Sequence, residues 1–375
     1  MRNLLNLTNE ELQNYFNELG EPRFRVKQVY QGAFQKGYER FDRFTNLSKK
    51  LREKLAEDFT LRSFKELERI SSPLDGTTKF LWQMADGRKI ESVIIYEGKR
   101  VTFCISSQVG CALGCTFCAT GKMGWLRDLN AGEIVEQVLQ MSKQAKSPPT
   151  NIVFMGMGEP MLNYDEVMRA ADILSDNEGL NFSRRKITIS TSGIIPGIKR
   201  MADEERPYRL AISLNAAFQH KREQVMPIAK KYPLPQLMEA AQYYYRKTRK
   251  RVTFEYVLIA GFNDSLQDAR ELVRITRKVP CKINIIPVNS QDENFPAPSE
   301  ARLRQFEQAV QDSVYAVTVR NRKGWDIQAA CGMLYATNEA KGKAATHKVD
   351  VQLVKIKEKG KKKKEENSLA NEGTF

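Results

Sequence analysis

The chain has 375 residues, 41% hydrophobic and 28% charged, an ordinary globular balance that can bury a sizeable core. No run approaches the ~18 consecutive apolar residues of a membrane span and no signal-peptide core follows the first residues, so a soluble, cytoplasmic protein is expected. Sixty Lys and Arg against 45 Asp and Glu give a formal charge of +15, of which 341–375 carries only +5, so the field of the whole chain favours a polyanionic partner, nucleic acid before membrane.

Residues 1–60 read as a helical accessory domain. Thr8 and Glu11 have the form of a capping box ahead of Leu12, Tyr15 and Phe16. A second helix is expected from Pro22, carrying Phe24, Val26, Val29 and Tyr30, and a third after Ser48 with Leu51, Leu55 and Phe59. Over 61–100 the pattern turns to short strands broken by Pro73-Leu-Asp-Gly76 and Asp86-Gly87, a β-hairpin connector. From 101 onward β-branched runs alternate with helical stretches: 101–105, 151–155, 186–190, 209–213, 251–259, 281–287 and a seventh candidate at 316–320. Apolar residues at helical spacing, such as Ile134, Val138 and Met141, fill the gaps. The alternation predicts an α/β fold over 101–340, a partial TIM-like barrel of six β/α units, with a doubly wound sheet as the alternative. Either architecture puts the active site at the carboxyl ends of the strands. The Lys-rich 341–375, with Lys361-Lys-Lys-Lys364, is expected to be disordered.

Two histidines, His220 and His347, nearly exclude His-rich zinc sites and make a Ser-His-Asp triad improbable. Six cysteines remain, Cys104, Cys111, Cys115, Cys118, Cys281 and Cys331, and four of them fall within 104–118. Cys111-Ala-Leu-Gly-Cys115-Thr-Phe-Cys118 follows the first barrel strand directly. Its spacing puts three thiolates on one tight loop, able to hold three irons of a cubane and leave the fourth open. Zinc with Cys104 as fourth ligand is the bland alternative, but structural zinc sites prefer two close pairs apart in sequence. Spacing therefore favours iron–sulfur chemistry.

At this point the sequence resembles the radical S-adenosylmethionine (SAM) enzymes, whose hallmark is C-x-x-x-C-x-x-C with an aromatic, here Phe117, before the third cysteine. It is more closely similar to the RNA adenine-C2 methyltransferases of the RlmN type, relatives of the Cfr resistance methyltransferases. The resemblance rests on Cys104-Ile-Ser-Ser-Gln-Val-Gly-Cys111, Met155-Gly-Met-Gly-Glu-Pro160, Ser190-Thr-Ser-Gly193, Ile286-Pro-Val-Asn289 and Asp326-Ile-Gln-Ala-Ala-Cys331-Gly332. With Glu91 these motifs span residues 91–332. Two departures stand out: Asn215 where His is expected in a Ser-Leu-His run, and Met333 where Gln is usual.

The resemblance implies a [4Fe–4S] cluster on Cys111, Cys115 and Cys118 whose open iron is chelated by SAM. Gly158, Glu159, Ser190, Ser213, Leu214, Asn215 and Asn289 are the matching SAM-binding positions. All of them fall at predicted strand ends, although Gly158 and Pro160 alone read as a turn and Ser190 as a cap. In the family, the residue matching Cys331 accepts a methyl from SAM, and the deoxyadenosyl radical then removes a hydrogen from it. The resulting methylene radical adds to adenine, and the residue matching Cys104 resolves the adduct as a disulfide. The family residue matching Glu91 removes the C2 proton. From sequence alone Glu91 reads as an exposed edge charge, while burial beside Val93 and Ile95 would suit a general base. Cys281 reads as a small buried hydrophobe.

Implied substrates are large-subunit ribosomal RNA and tRNA, and the implied reductant is an electron donor such as flavodoxin or ferredoxin. A Cfr-like C8 methyltransferase and a non-catalytic iron–sulfur RNA-binding regulator are the rival readings. The aromatic and basic run Tyr243-Tyr-Tyr-Arg-Lys-Thr-Arg-Lys-Arg251 ends a helix on the face opposite the site, where cations also suit the helix macrodipole. Lys122, Trp125, Arg127, Lys221, Arg222, Arg320, Arg322 and Lys323 are the RNA-contact candidates on the active face, with the N-terminal helices as a second RNA surface.

Overall fold

The computed structural model describes residues 2–289, 292–311, 316–320 and 322–336. The expected disorder of 341–375 lies outside the described residues. Three N-terminal helices, α1 (Asn9–Glu18), α2 (Phe24–Tyr30) and α3 (Lys49–Asp58), pack through Leu12, Phe16, Val26, Val29, Leu51 and Leu55, all buried. The capping box is formed: Glu11 N–H donates to Thr8 Oγ1 and Thr8 N–H to Glu11 Oε2. Ser48 caps α3 through Leu51 N–H. The second helix begins at Phe24 rather than Pro22, because Pro22 O accepts from Arg25 N–H in the turn that leads into it.

Ten strands form one sheet. In chain order they are β1 (Lys65–Ser71), β2 (Thr78–Gln83), β3 (Lys89–Glu97), β4 (Arg100–Cys104), β5 (Asn151–Phe154), β6 (Ile187–Thr191), β7 (Arg209–Ser213), β8 (Val252–Leu258), β9 (Cys281–Pro287) and β10 (Ala316–Val319). Their order in space is their order in sequence. Strands β4 to β10 are all parallel. The crossovers are α4 (Ala131–Gln144), α5 (Tyr164–Leu174), α6 (Ile195–Asp203), α7 (Leu234–Thr248), α8 (Leu266–Thr276) and α9 (Glu300–Gln311). A doubly wound sheet reverses its strand order at a switch point. This one never does, so the six β/α units and a seventh parallel strand wind as an open TIM-like barrel. One face of its strands is fully buried, as in the i, i+2 pairs Ile187 and Ile189, Leu210 and Ile212, Val252 and Phe254, and Ile283 and Ile285.

The segment expected as a connector is part of this sheet. Strands β1, β2 and β3 form an antiparallel meander that continues onto β4, with Val93 opposite Cys104. Long-range pairing of that kind leaves no local sequence signal. It sets the strand that carries Glu91 beside the strand that carries Cys104. The N-terminal helices are tied on by the fully buried Glu136 of α4, whose carboxylate accepts from the N–H groups of Ser63 and Phe64 and from Ser63 Oγ at 2.8–3.0 Å.

Candidate active site

The loop after β4 turns back on itself at short range. Cys111 N–H donates to Gly124 O (2.8 Å), Cys118 N–H to Cys115 O (3.1 Å), and Thr116 N–H to Val225 O (3.0 Å). Gly121 lets the following turn close onto it: a Cβ there would lie 2.9 Å from Cys115 O. The three thiols stand on the wall of one cavity at the carboxyl ends of the strands. Gly158, Glu159, Ser190, Ser213, Asn215, Asn289 and Cys331 line that same cavity. Residues from six segments of the chain, 220 positions apart at the extremes, are thus brought together.

Burial pushes the Cys111 thiol up to about 12 and raises Cys115 and Cys118 as well. A cationic ligand such as iron would favour the thiolate form of thiols so placed. Among the described residues no three Cys, His, Asp or Glu side chains converge on a single metal ion. A cluster, which offers a separate iron to each thiolate, suits this arrangement of three thiols around a cavity.

Gly158 has φ 101°, and a Cβ on it would lie 2.6 Å from Gln108 Cβ, so only glycine lets this loop approach. Glu159 is fully enclosed, which raises its pKa against the opposing hydrogen bonds from Ser192 N–H (2.7 Å) and Met161 N–H (3.0 Å). The side chains of Thr191 and Ser192 add to those bonds. Asn215 has φ 59°, a left-handed conformation that Asn tolerates, and its Oδ1 accepts from Val257 N–H (3.0 Å). Asn289 Oδ1 accepts from Arg322 Nε (3.0 Å). Leu214 is the exception among the predicted ligand-binding positions. Its side chain is fully buried in the core and outside the cavity lining, while its carbonyl accepts from Arg222 Nε.

Cys331 is solvent-accessible because it opens onto the cavity, yet protein surrounds it closely enough to push its thiol up to about 11. Cys104 is buried, outside the lining, and pushed up to about 12 by desolvation first and then by the neighbouring Cys331. Arg320 opposes the rise at both sulfurs. Both cysteines are free thiols here. Cys281 is fully buried in β9.

Glu91 is buried, not an exposed edge charge. Desolvation raises its pKa, and Lys79 Nζ, 3.1 Å from Oε1, opposes the rise. Tyr335 N–H donates to Oε2 at 2.8 Å, which ties Glu91 to the segment that carries Cys331. Sequence reasoning missed Lys79 and Tyr335, which no motif connects to Glu91. It also missed Glu255, the lone charge in the apolar strand β8 and a detectable signal for that reason. Glu255 lines the cavity, where Oε1 accepts from Asn284 Nδ2 (3.0 Å) and Oε2 has no hydrogen-bond partner among the described residues.

Several cations expected to meet RNA are engaged inside the protein. Arg222 is fully buried, donates to Leu214 O and Ser192 O, and is lowered by desolvation to about 10. Arg127 bridges Asp86 and Glu133, Lys221 pairs with Asp268 and Lys122 with Asp292. Tyr244 of the run 243–251 is buried in α7 and donates to Tyr208 O.

Residues 105–273 match the model of the Radical SAM superfamily, and residues 2–61 match the Ribosomal RNA large subunit methyltransferase N-terminal domain. A probable dual-specificity RNA methyltransferase RlmN of Thermotoga maritima is 45% identical over 334 residues, 89% of this chain and 97% of that protein. A dual-specificity RNA methyltransferase RlmN of Nitratidesulfovibrio vulgaris is 44% identical over 358 residues, 92% of this chain and 98% of that protein. The crystal structure of a radical SAM methyltransferase from Sphaerobacter thermophilus superposes with a TM-score of 0.86 at 42% identity, covering 90% of this chain and all of that one. Identity of this level over nearly the whole chain, with the expected cysteines on one cavity of the expected barrel, makes this chain a member of the RlmN family of radical SAM RNA methyltransferases.

Proposed function

We propose that the chain methylates C2 of adenosine in large-subunit ribosomal RNA and in tRNA. One observation carries the reading: Cys331, a thiol outside the three-cysteine loop, opens onto the cavity that the loop lines. A non-catalytic iron–sulfur regulator has no use for a thiol there. The relatives above carry the RlmN name, which favours C2 over a Cfr-like C8 product.

Cys111, Cys115 and Cys118 would hold a [4Fe–4S] cluster, and Gly158, Glu159, Ser190, Ser213, Asn215 and Asn289 would hold SAM beside it, with Leu214 packed behind them in the core. When bound, these groups supply one-electron chemistry and the carbon that is transferred. Adenine C2 is neither acidic nor nucleophilic, so the protein's own groups must tether and release the base. Cys331 presents the sulfur that links to C2 through that carbon. Glu91 takes the C2 proton once Tyr335 N–H is displaced from its carboxylate. The Cys104 thiolate then attacks the Cys331 sulfur. An S–S bond forms, the S–C bond breaks, and the departing carbon takes a proton to become the methyl group. An external thiol reductant returns the disulfide to two thiols.

A low-potential one-electron donor, flavodoxin or ferredoxin, and the reducing cytoplasm suit this chemistry. No described helix is long and apolar enough to cross a membrane. Nucleoside mass spectrometry tests the assignment on ribosomal RNA fragments and tRNA incubated anaerobically with reconstituted protein, SAM and reductant. Expected is 2-methyladenosine in both RNAs. An 8-methyladenosine product, or none with a loaded cluster, would contradict it.

A further inference from the structure

Around the cavity several cations are paired or buried, and three of the exposed side chains are aromatic. Trp125 is 47% exposed, Trp325 49% and Tyr335 53%, whereas the third tryptophan, Trp82, lies in the core. Exposed aromatics scattered singly need no explanation. These three sit on the two segments that frame one cavity. Trp125 follows the lining residue Gly121 in the hairpin after the cysteine loop, Trp325 precedes Cys331 on its segment, and Tyr335 is next to the lining residue Leu334.

The two tryptophan rings are anchored, and Tyr335 is tied through its backbone alone. Trp125 Nε1 donates to Asp128 Oδ1 (3.1 Å), and its strand pairs with Gln108–Gly110. The Arg322 guanidinium lies over the Trp325 ring, 5.8 Å from its centroid, and the same side chain donates to Asn289 on the cavity wall. The turn under Trp325 is closed by Ala329 N–H to Gly324 O (2.8 Å) and fastened by Gly324 N–H to Asp75 Oδ2 (2.9 Å). Tyr335 is held by its N–H on Glu91. Rings fixed in advance lose little freedom when a ligand stacks on them.

We infer that Trp125, Trp325 and Tyr335 form a stacking surface for unpaired RNA bases at the mouth of the cavity, flanking the adenosine that enters it. The inference rests on the RNA-methylating function proposed above. An adenine whose C2 must reach an enclosed site has to leave its stack, and its neighbours then need a substitute for the bases they lose. Aromatic faces provide it, as in other single-strand readers. Stacking discriminates little between bases, so one surface can serve two RNAs of different sequence.

The test uses full-length, cluster-loaded protein and an RNA stem-loop with 2-aminopurine beside a loop adenosine. Wild-type protein is expected to bind and quench the probe. Trp325→Ala, Tyr335→Ala and Trp125→Ala should each weaken binding by about 5- to 100-fold and reduce quenching, as loss of one stacked base predicts. Trp325→Phe and Tyr335→Phe should restore most of both. Because no phosphate contact is removed, the slope of log Kd against log salt should stay at the wild-type value. Iron per chain reports whether the cavity survives in each variant. Ala variants with wild-type affinity and quenching would overturn the stacking surface alone, and so would a flattened salt slope, which would assign the segment to phosphate binding. A wild-type protein that ignores the RNA would overturn the RNA-methylating reading with it.

Discussion

Loop 111–118 and segment 322–336 face the same cavity but are held in different ways. The cysteine loop is held mostly by short-range contacts, Cys118 N–H to Cys115 O and Cys111 N–H to Gly124 O, with Thr116 N–H to Val225 O as a long tie, and its chemistry is written in consecutive residues. The Cys331 segment is fastened to distant parts of the chain. Ser72 Oγ donates to Asp326, Ala119 N–H to Gly332 O, Thr120 Oγ1 to Leu334 O, and Tyr335 N–H to Glu91, the last across 244 positions. A loop that encloses a cluster gains from rigidity. In the proposed reaction the Cys331 thiol meets a bound base and Tyr335 masks the proton-abstracting carboxylate of Glu91, so that segment would gain from contacts that can be released.

The sharpest way to separate the two regions is to remove their sulfurs. Cys111→Ala, Cys115→Ala and Cys118→Ala should each take iron from about four per chain to near zero, since a cubane with one open iron needs all three thiolates. Cys331→Ala should keep its iron and yield no methylated RNA. Iron and sulfide analysis beside nucleoside mass spectrometry checks both. A Cys331→Ala protein that loses its cluster would merge the two regions into one.

A smaller effect is expected at Lys79, which opposes the burial-driven rise of the Glu91 pKa. As the proposed base, Glu91 would work only when ionised, so methylation should rise with pH through its folded pKa. Lys79→Met removes the opposing cation and should move that acid limb to higher pH. Stability runs the opposite way with pH. A carboxyl whose folded pKa is raised favours the folded state at low pH, and that contribution is lost as pH rises through the folded pKa. A pH–rate profile unmoved by Lys79→Met would leave the pair a structural one.

The smallest effect concerns the ties of the Cys331 segment. Thr120→Val deletes the bond to Leu334 O (2.6 Å) and should cost about 1–2 kcal/mol of stability. It should also speed alkylation of Cys331 without changing iron content. Thermal unfolding and timed labelling with iodoacetamide read the two consequences.

The contrast also explains what the sequence disclosed. Periodicity marked the barrel strands and their helices because both signals are local, and strand ends predict a pocket in any β/α barrel. The family resemblance named Ser190, Ser213 and Asn289, and their places at predicted strand ends agreed with it. Cys331 needed the family resemblance, because nothing within Ala-Ala-Cys-Gly shows which cavity it faces. The sheet-extending role of β1 to β3 was hidden for the same reason as the Lys79–Glu91 pair: partners on different strands leave no periodic trace. The engaged cations show the limit most plainly. Arg127 and Arg222 look alike as charges in sequence, yet one bridges two carboxylates and the other is buried among carbonyls.

The central claim is that Cys331 is covalently joined to the base and Cys104 releases it. Cys104→Ala protein, loaded with cluster and incubated anaerobically with SAM, reductant and tRNA, tests this most directly when run on a denaturing gel and followed by peptide mass spectrometry. The account predicts a protein–RNA adduct that accumulates on Cys331 and is absent from the Cys104→Ala/Cys331→Ala double variant. Repeated turnover without any adduct, or an adduct on another residue, would contradict it.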